Sequence, residues 1–212
     1  MKKVMLLFSF LIIAVNIFSQ GFKVKAEGAQ VFSFNDNNGR NQATFFSTTP
    51  LEDVNGLTTE INGTISFDVR NVAGSLKGQI TIPAKSLKTG IKKRDEDMKG
   101  SGWLDVEEFP VISFTIKRVL ELKSLADNKL QAKVSGDFMV HGITKEIVVD
   151  ATMIYLDENE QTGQISPGDL LGVTSKFTIT LSDYDIDNMV LGKRVSDKIE
   201  IGVNFVGNNK GN

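Results

Sequence analysis

The chain has 212 residues, with 24 basic and 26 acidic side chains, one histidine and no cysteine. A net charge of −2 offers no clustered positive field for nucleic acid or an anionic membrane surface, and the missing thiols exclude disulfides, thiol catalysis and thiolate metal sites. A chain of this length suffices for one domain with a sizeable core, and without cross-links its stability must come from that core.

The chain opens Met1-Lys2-Lys3, runs apolar through residues 4–15 and then turns polar. A charged start before a short apolar stretch is the pattern of a secretory signal peptide. Ser19 suits the position before a cleavage site, so residues 1–19 are expected to be removed and residues 20–212 to form a single domain. The apolar run is shorter than the roughly 20 residues that span a bilayer, so stable membrane insertion is not expected. No cysteine follows it, which excludes a lipoprotein anchor. The expected location is the periplasm or the cell exterior.

Beyond this segment the dominant hydrophobic period is two. Short runs at 31–34 and 43–47 precede a cleaner one at 61–69, where Ile61, Gly63, Ile65, Phe67 and Val69 alternate with Asn62, Thr64, Ser66 and Asp68. That alternation is a strand with one buried face and one wet face. Another strand follows at 78–82. A helical piece is expected between residues 86 and 108, where 94–98 is polar and rich in helix formers. Further strands fall at 111–117, 134–140, 147–155, 173–181 and 199–205, separated by turn signals such as Ala126-Asp127-Asn128, His141-Gly142 and Ser166-Pro167-Gly168-Asp169. Eight or nine strands with no helical layer to cover them must fold onto themselves, as a barrel or a sandwich. Periodicity does not choose between the two.

Two segments carry a resemblance. The first is Lys88-Thr89-Gly90, Arg94-Asp95, Met98, Leu104-Asp105, Phe109-Pro110, Ile112 and Phe114; the second runs Gly136-Asp137-Phe138-Met139-Val140-His141-Gly142-Ile143-Thr144-Lys145. In order and spacing they resemble the YceI-like family of exported barrels, and the resemblance extends over residues 28–206. It departs at residues 43–52, where many members carry a His-Ser pair and a second His, and near Tyr184, where an Arg and a Phe-Gly are missing. Roles tied to those residues are not carried over. The resemblance implies an all-β fold, an extended antiparallel lipocalin-like β-barrel of about eight strands with a short helical segment between strands. Some members are similar to binders of polyisoprenoid chains such as quinones, so the implied partner is a long-chain isoprenoid or other apolar lipid. A barrel of eight strands is just wide enough to be filled by side chains or to hold one slim ligand. Each buried CH₂ contributes roughly 0.8 kcal/mol, so a long chain binds without specific chemistry.

The residues expected to line such an interior are Ile65 and Phe67, Ile80 and Ile82, Phe114 and Phe138, then Met153, Phe177, Ile179, Ile201 and Val203. Gly63, Gly136, Ala151 and Ser175 interrupt these apolar faces; they either leave room for a ligand or relieve curvature at barrel corners. Arg94, Asp95 and His141 are the candidates for the barrel mouth and a ligand's head group. Their competing readings are structural: Arg94-Asp95 orders the central segment, and His141 is an exposed turn residue. Trp103 is read as a core plug, with a flap as the alternative. Asp183, Asp185 and Asp187 open like a calcium loop, but Asn188 and Arg194 stand where a Gly and a bidentate Glu belong. No metal, cofactor or catalytic constellation is expected. The functional expectation is an exported protein that sequesters or carries an apolar ligand. The alternatives are a filled barrel serving as an envelope interaction module, and a hydrolase or isomerase using His141 or Asp95. A homodimer is left open.

Overall fold

The computed structural model describes residues 21–35 and 39–210, so the proposed signal peptide lies outside the described residues. The period-two pattern is realised as ten strands. In chain order the elements are β1 (Ala29–Ser33), β2 (Gln42–Thr48), β3 (Asp53–Thr58), β4 (Asn62–Asp68), α1 (Val72–Ser75), β5 (Lys77–Pro83), α2 (Lys92–Lys99), β6 (Val111–Ala126), β7 (Lys129–Val140), β8 (Ile143–Leu156), α3 (Glu160–Ile165), β9 (Leu170–Thr180) and β10 (Lys198–Asn208). The helical piece expected between residues 86 and 108 is α2.

The strands pair antiparallel in the order β1-β4-β5-β6-β7-β8-β9-β10, and β1 meets β10 again at Ser33–Asn208. These eight strands form a closed barrel, which decides between the two architectures. The β2–β3 hairpin is added to the same edge of β10, in register from Glu200–Phe46 to Asn204–Gln42. The outer edge of β3 touches the wall at Leu57 and Lys88, which exchange two backbone hydrogen bonds of 2.8 and 3.0 Å. Asn41 sits where β10 passes from one partner to the other. Its buried amide donates to the carbonyls of Phe34 (2.9 Å) and Val206 (3.2 Å), and its Oδ1 accepts from the Val206 amide (2.7 Å).

Inward apolar side chains gather into two clusters, one at each end. At the first end Phe22, Phe32, Phe67 and Tyr155 bring their rings together with centroids 5.5 to 6.5 Å apart. Residues 21–26 cross this opening and drop Phe22 into it, held by Phe22 N donating to the Val69 carbonyl at 2.8 Å and Arg70 reaching the Phe22 carbonyl at 3.2 Å. The Tyr155 hydroxyl donates to Asp169 Oδ2 at 2.6 Å. Burial pushes its pKa well up, and the adjacent Asp169 carboxylate pushes it further, so the phenol stays protonated and the latch stays made. This end is a closed aromatic floor.

At the second end Phe138, Val140, Ile179, Leu181, Tyr184, Ile186 and Ile199 are buried, with Trp103 and Leu104 packed against them. Phe138 meets Phe177 and Tyr184 edge-on at 5.7 and 5.8 Å.

Candidate functional site

Between the floor and the second cluster lies a cavity of about 670 Å³. That volume falls within the usual range of small-molecule sites. Its wall is built from the inward faces of the barrel strands and the β2–β3 hairpin. Ile80, Ile82, Phe114, Phe177, Ile201 and Val203 point inward yet keep partial exposure, because they face the cavity. On β9 the lining extends from Val173 to Ile179. At a strand rise of about 3.3 Å per residue this is roughly 20 Å along the strand, or about 15 Å down the axis of a tilted barrel.

Three segments frame the mouth and are tied to one another. Arg94 on α2 donates to Glu52 Oε1 at 2.7 Å, joining α2 to the β2–β3 turn. Asn188 Nδ2 donates to the Gly102 carbonyl at 2.9 Å, joining residues 188–195 to the segment after α2. Ser196 N donates to the Thr48 carbonyl at 3.0 Å, joining that loop to the end of β2. Ile91, Met98, Trp103, Leu104, Val190 and Val195 turn apolar surface from these segments into the cavity. Trp103 and Leu104 thus form part of the mouth's wall.

The structure brings most of the sequence-predicted lining together. Ile65, Ile80, Ile82, Phe114, Phe138, Met153, Phe177, Ile179, Ile201 and Val203 all border the cavity. Phe67 does not; it belongs to the floor, stacked on Phe32 at 5.7 Å. Of the small residues, Ala151 and Ser175 border the cavity. Gly63 and Gly136 leave no room. Gly63 has a φ of +140°, and a Cβ there would lie 2.1 Å from the Gln79 carbonyl oxygen. A Cβ at Gly136 would lie 2.3 Å from the Phe114 ring, which already covers it.

Among the mouth candidates, Arg94 borders the cavity and Asp95 and His141 do not. Asp95 Oδ1 accepts from the amide and the hydroxyl of Thr89, both at 2.6 Å, pinning the loop before α2 to the helix. Burial pushes the Asp95 carboxyl up, but the Thr89 hydrogen bonds and nearby Lys99 outweigh it, and the net shift is downward. His141 and Gly142 form the β7–β8 turn with φ values of 52° and 71°. The His141 ring lies 4.5 Å from Phe109, and its Nδ1–H donates to the Tyr184 carbonyl at 3.0 Å. Both residues therefore hold chain segments in place around the site.

Sequence reasoning passed over Phe45, Ile116, Val134, Val149, Val173, Ile199 and Phe205, which also line the cavity. Most of them shared the period-two signal with the residues it chose. The mouth residues had no such signal. Among the described residues no group of three His, Cys, Asp or Glu side chains is placed to hold a metal. The notable charged cluster faces outward: Glu146 accepts from the Ser135 hydroxyl, from Lys117 at 2.9 Å and from Arg118 at 3.1 Å. The Ser135 hydrogen bond and the Lys117 contact lower its pKa to about 2.

Comparison with known proteins places this geometry. A family model for the YceI-like domain matches residues 24–207. A UPF0312 protein of Vibrio vulnificus is 25% identical over 148 residues, covering 70% of this chain and 72% of the relative. BcnA of Burkholderia cenocepacia superposes with a TM-score of 0.62 at 16% identity, over 79% of this chain and 96% of its own. A polyisoprenoid binding domain from Saccharophagus degradans, implicated in plant cell wall breakdown, superposes with a TM-score of 0.60 at 15% identity, over 87% of this chain and 99% of its own. With the family model matching residues 24–207 and the barrel fold reproduced by solved structures, this chain belongs to the YceI-like family.

Proposed function

We propose that the protein sequesters or carries a long apolar chain, most naturally an isoprenoid quinone or polyprenyl lipid, with the tail inside the barrel. The observation that carries this reading is the cavity of about 670 Å³, walled by apolar side chains and closed at one end by the aromatic floor. A slim hydrocarbon fits such a space, and with roughly 0.8 kcal/mol per buried CH₂ it needs few polar contacts. The polyisoprenoid binding described for the Saccharophagus neighbour supports the same class of ligand. The role is binding, with no reaction assigned. The site of action we propose is the periplasm or the cell exterior, reached after cleavage following Ser19; N-terminal sequencing of the exported protein is expected to begin at Gln20, and a start at Met1 would refute the cleavage.

Native mass spectrometry tests the binding role directly. The mature protein, purified from its own envelope without detergent, is expected to carry a discrete added mass that organic solvent releases. A bare protein mass, unchanged after incubation with quinones and polyprenyl lipids, would replace this reading with a barrel that binds no lipid.

A further inference from the structure

Large apolar side chains stand on the solvent side of the mouth. Leu51 is 94% exposed and Met189 89%, more than any other large hydrophobic side chain among the described residues. They come from two of the three segments that frame the opening. Leu51 lies in the β2–β3 turn, beyond the last pair of that hairpin, Thr48–Asp53, and next to Glu52, the partner of Arg94. Met189 follows Asn188, which is bonded to Gly102, and precedes Val190, which borders the cavity. Ile91, on the third segment, joins inside to outside: it borders the cavity and is 49% exposed.

Both tips are held out by their own turns. Thr49 Oγ1 accepts from the amides of Leu51 at 3.3 Å and Glu52 at 2.9 Å. Asn188 Oδ1 accepts from the amides of Val190 at 3.1 Å and Leu191 at 3.2 Å. Neither Leu51 nor Met189 borders the cavity, so a ligand there does not cover them. Single exposed hydrophobics are ordinary on protein surfaces. Here the two most exposed are gathered with Ile91 at the end opposite the aromatic floor. A long apolar chain is driven out of water and into bilayers, so a barrel that takes one up must bring its mouth to a bilayer.

We propose that the mouth end is a docking face for a phospholipid bilayer, with Leu51, Met189 and Ile91 entering the boundary between head groups and acyl chains. The cavity then opens onto the leaflet. This rests on the carrier reading above and adds where the ligand is exchanged. Lys193 and Arg194, close after Met189, are exposed and have no carboxylate within ion-pair distance among the described residues. Their apolar stems allow their charges to stay among lipid phosphates. Glu52, Asp53 and the acidic residues of α2 stand at the same end, so apolar contact leads and charge assists. That agrees with the net charge of −2, which supplies no long-range attraction to an anionic surface.

Flotation with vesicles of phosphatidylcholine, and of phosphatidylethanolamine mixed with phosphatidylglycerol, tests it. The mature protein is expected to float with both. The double variant Leu51→Gln, Met189→Gln is expected to bind either vesicle about a hundredfold more weakly, about tenfold for each tip. It is expected to melt with the parent and to bind a fluorescent apolar dye equally well, because neither side chain is packed or borders the cavity. Leu125→Gln, near the β6–β7 turn at the floor end, is expected to leave flotation unchanged. Trp103, the only tryptophan of the chain, lies at the mouth and reads the orientation without a substitution. Its fluorescence is expected to be quenched by lipids brominated near the head group. If the parent binds the dye but no vesicle, the docking face is refuted while the carrier role stands. Equal flotation of parent and double variant, or flotation without quenching of Trp103, also refutes it, because another face then holds the bilayer. A dimer that the double variant loses, with no vesicle binding, would assign the tips to a second copy of the chain instead. If vesicles bind through the tips and no apolar ligand enters the cavity, the docking face stands and the carrier reading fails.

Discussion

Replacing Ala151 with phenylalanine separates a hollow barrel from a filled one. Ala151 lies on β8 between Val149 and Met153, pairs with Ser175 on β9, and borders the cavity. In a filled interior the added ring would force neighbours off their rotamers at a cost of about 1–3 kcal/mol. Inside a cavity of about 670 Å³ the ring has space, and burying it contributes roughly 1.5–3 kcal/mol instead. The two cases therefore differ by at least about 2.5 kcal/mol. For a domain of this size that amounts to more than about 5 °C in melting temperature. The ring also occupies the path of a ligand's tail. If it displaces about four chain carbons at roughly 0.8 kcal/mol each, affinity falls about two-hundredfold. Thermal unfolding followed by circular dichroism, alongside titration with a polyprenyl lipid, reads both effects. The expected result is an unchanged or raised melting temperature with binding largely lost. A lowered melting temperature with unchanged affinity would refute the argument, because it would mean that the interior is packed and the lipid binds elsewhere.

Phe67→Ala removes a ring from the floor and is expected to cost about 3–5 kcal/mol in urea unfolding, the range for a buried Phe truncated to Ala; a loss below 1 kcal/mol would show that the floor is not packed. Gly136→Ala places a methyl group against the Phe114 ring and the Thr115 carbonyl, and is expected to destabilise by about 1–3 kcal/mol in the same assay. Glu146 provides the pH dependence. Its folded pKa lies near 2, below the ordinary 4.5, so the stabilisation it gives is present above about pH 4.5 and disappears as pH falls toward 2. The gap in urea midpoint between the parent and Glu146→Gln should therefore close over that interval, and a gap that stays constant from pH 6 to 2 would exclude the assignment.

The strands with clean alternation were legible because each has one face in the barrel and one in water. Residues 61–69, 173–181 and 199–205 follow that rule closely. β3 escaped it because its inner positions are Val54, Gly56 and Thr58. Gly56 is small because the Phe45 ring lies over it, and Thr58 bonds the Ser86 hydroxyl at 2.7 Å. The second half of β6 was missed for a different reason. Register shifts between Ile116 and Arg118, and between Val119 and Glu121, break the period of two and move side chains to the other face. Phe67 shows the limit of periodicity at the site itself. Alternation places Phe67 on the same face as Ile65, but depth along the barrel depends on which end is closed. That is set by residues 21–26 crossing the floor, where Phe22, Val24 and Ala26 alternate with Lys23 and Lys25 although the segment joins no strand ladder. The clamp from His141 to Tyr184 joins residues 43 apart and leaves no mark on local sequence.

The way β10 changes partners gives the barrel a seam. From β7 to β9 the wall is continuous ladder, and widening it there means breaking many hydrogen bonds at once. At the seam the backbone register is the single Cα pair Ser33–Asn208, supplemented by the side-chain amides of Asn41 and of Asn209, which donates to Gln30 Oε1 at 2.9 Å, while the hairpin overlapping it is fastened to the far wall at Leu57–Lys88. Local opening follows the thinnest bonding, so the amides along this line should exchange with solvent well before those of β7 and β8. Under the proposed carrier role, this line is where the barrel's girth would widen first to admit a thicker tail.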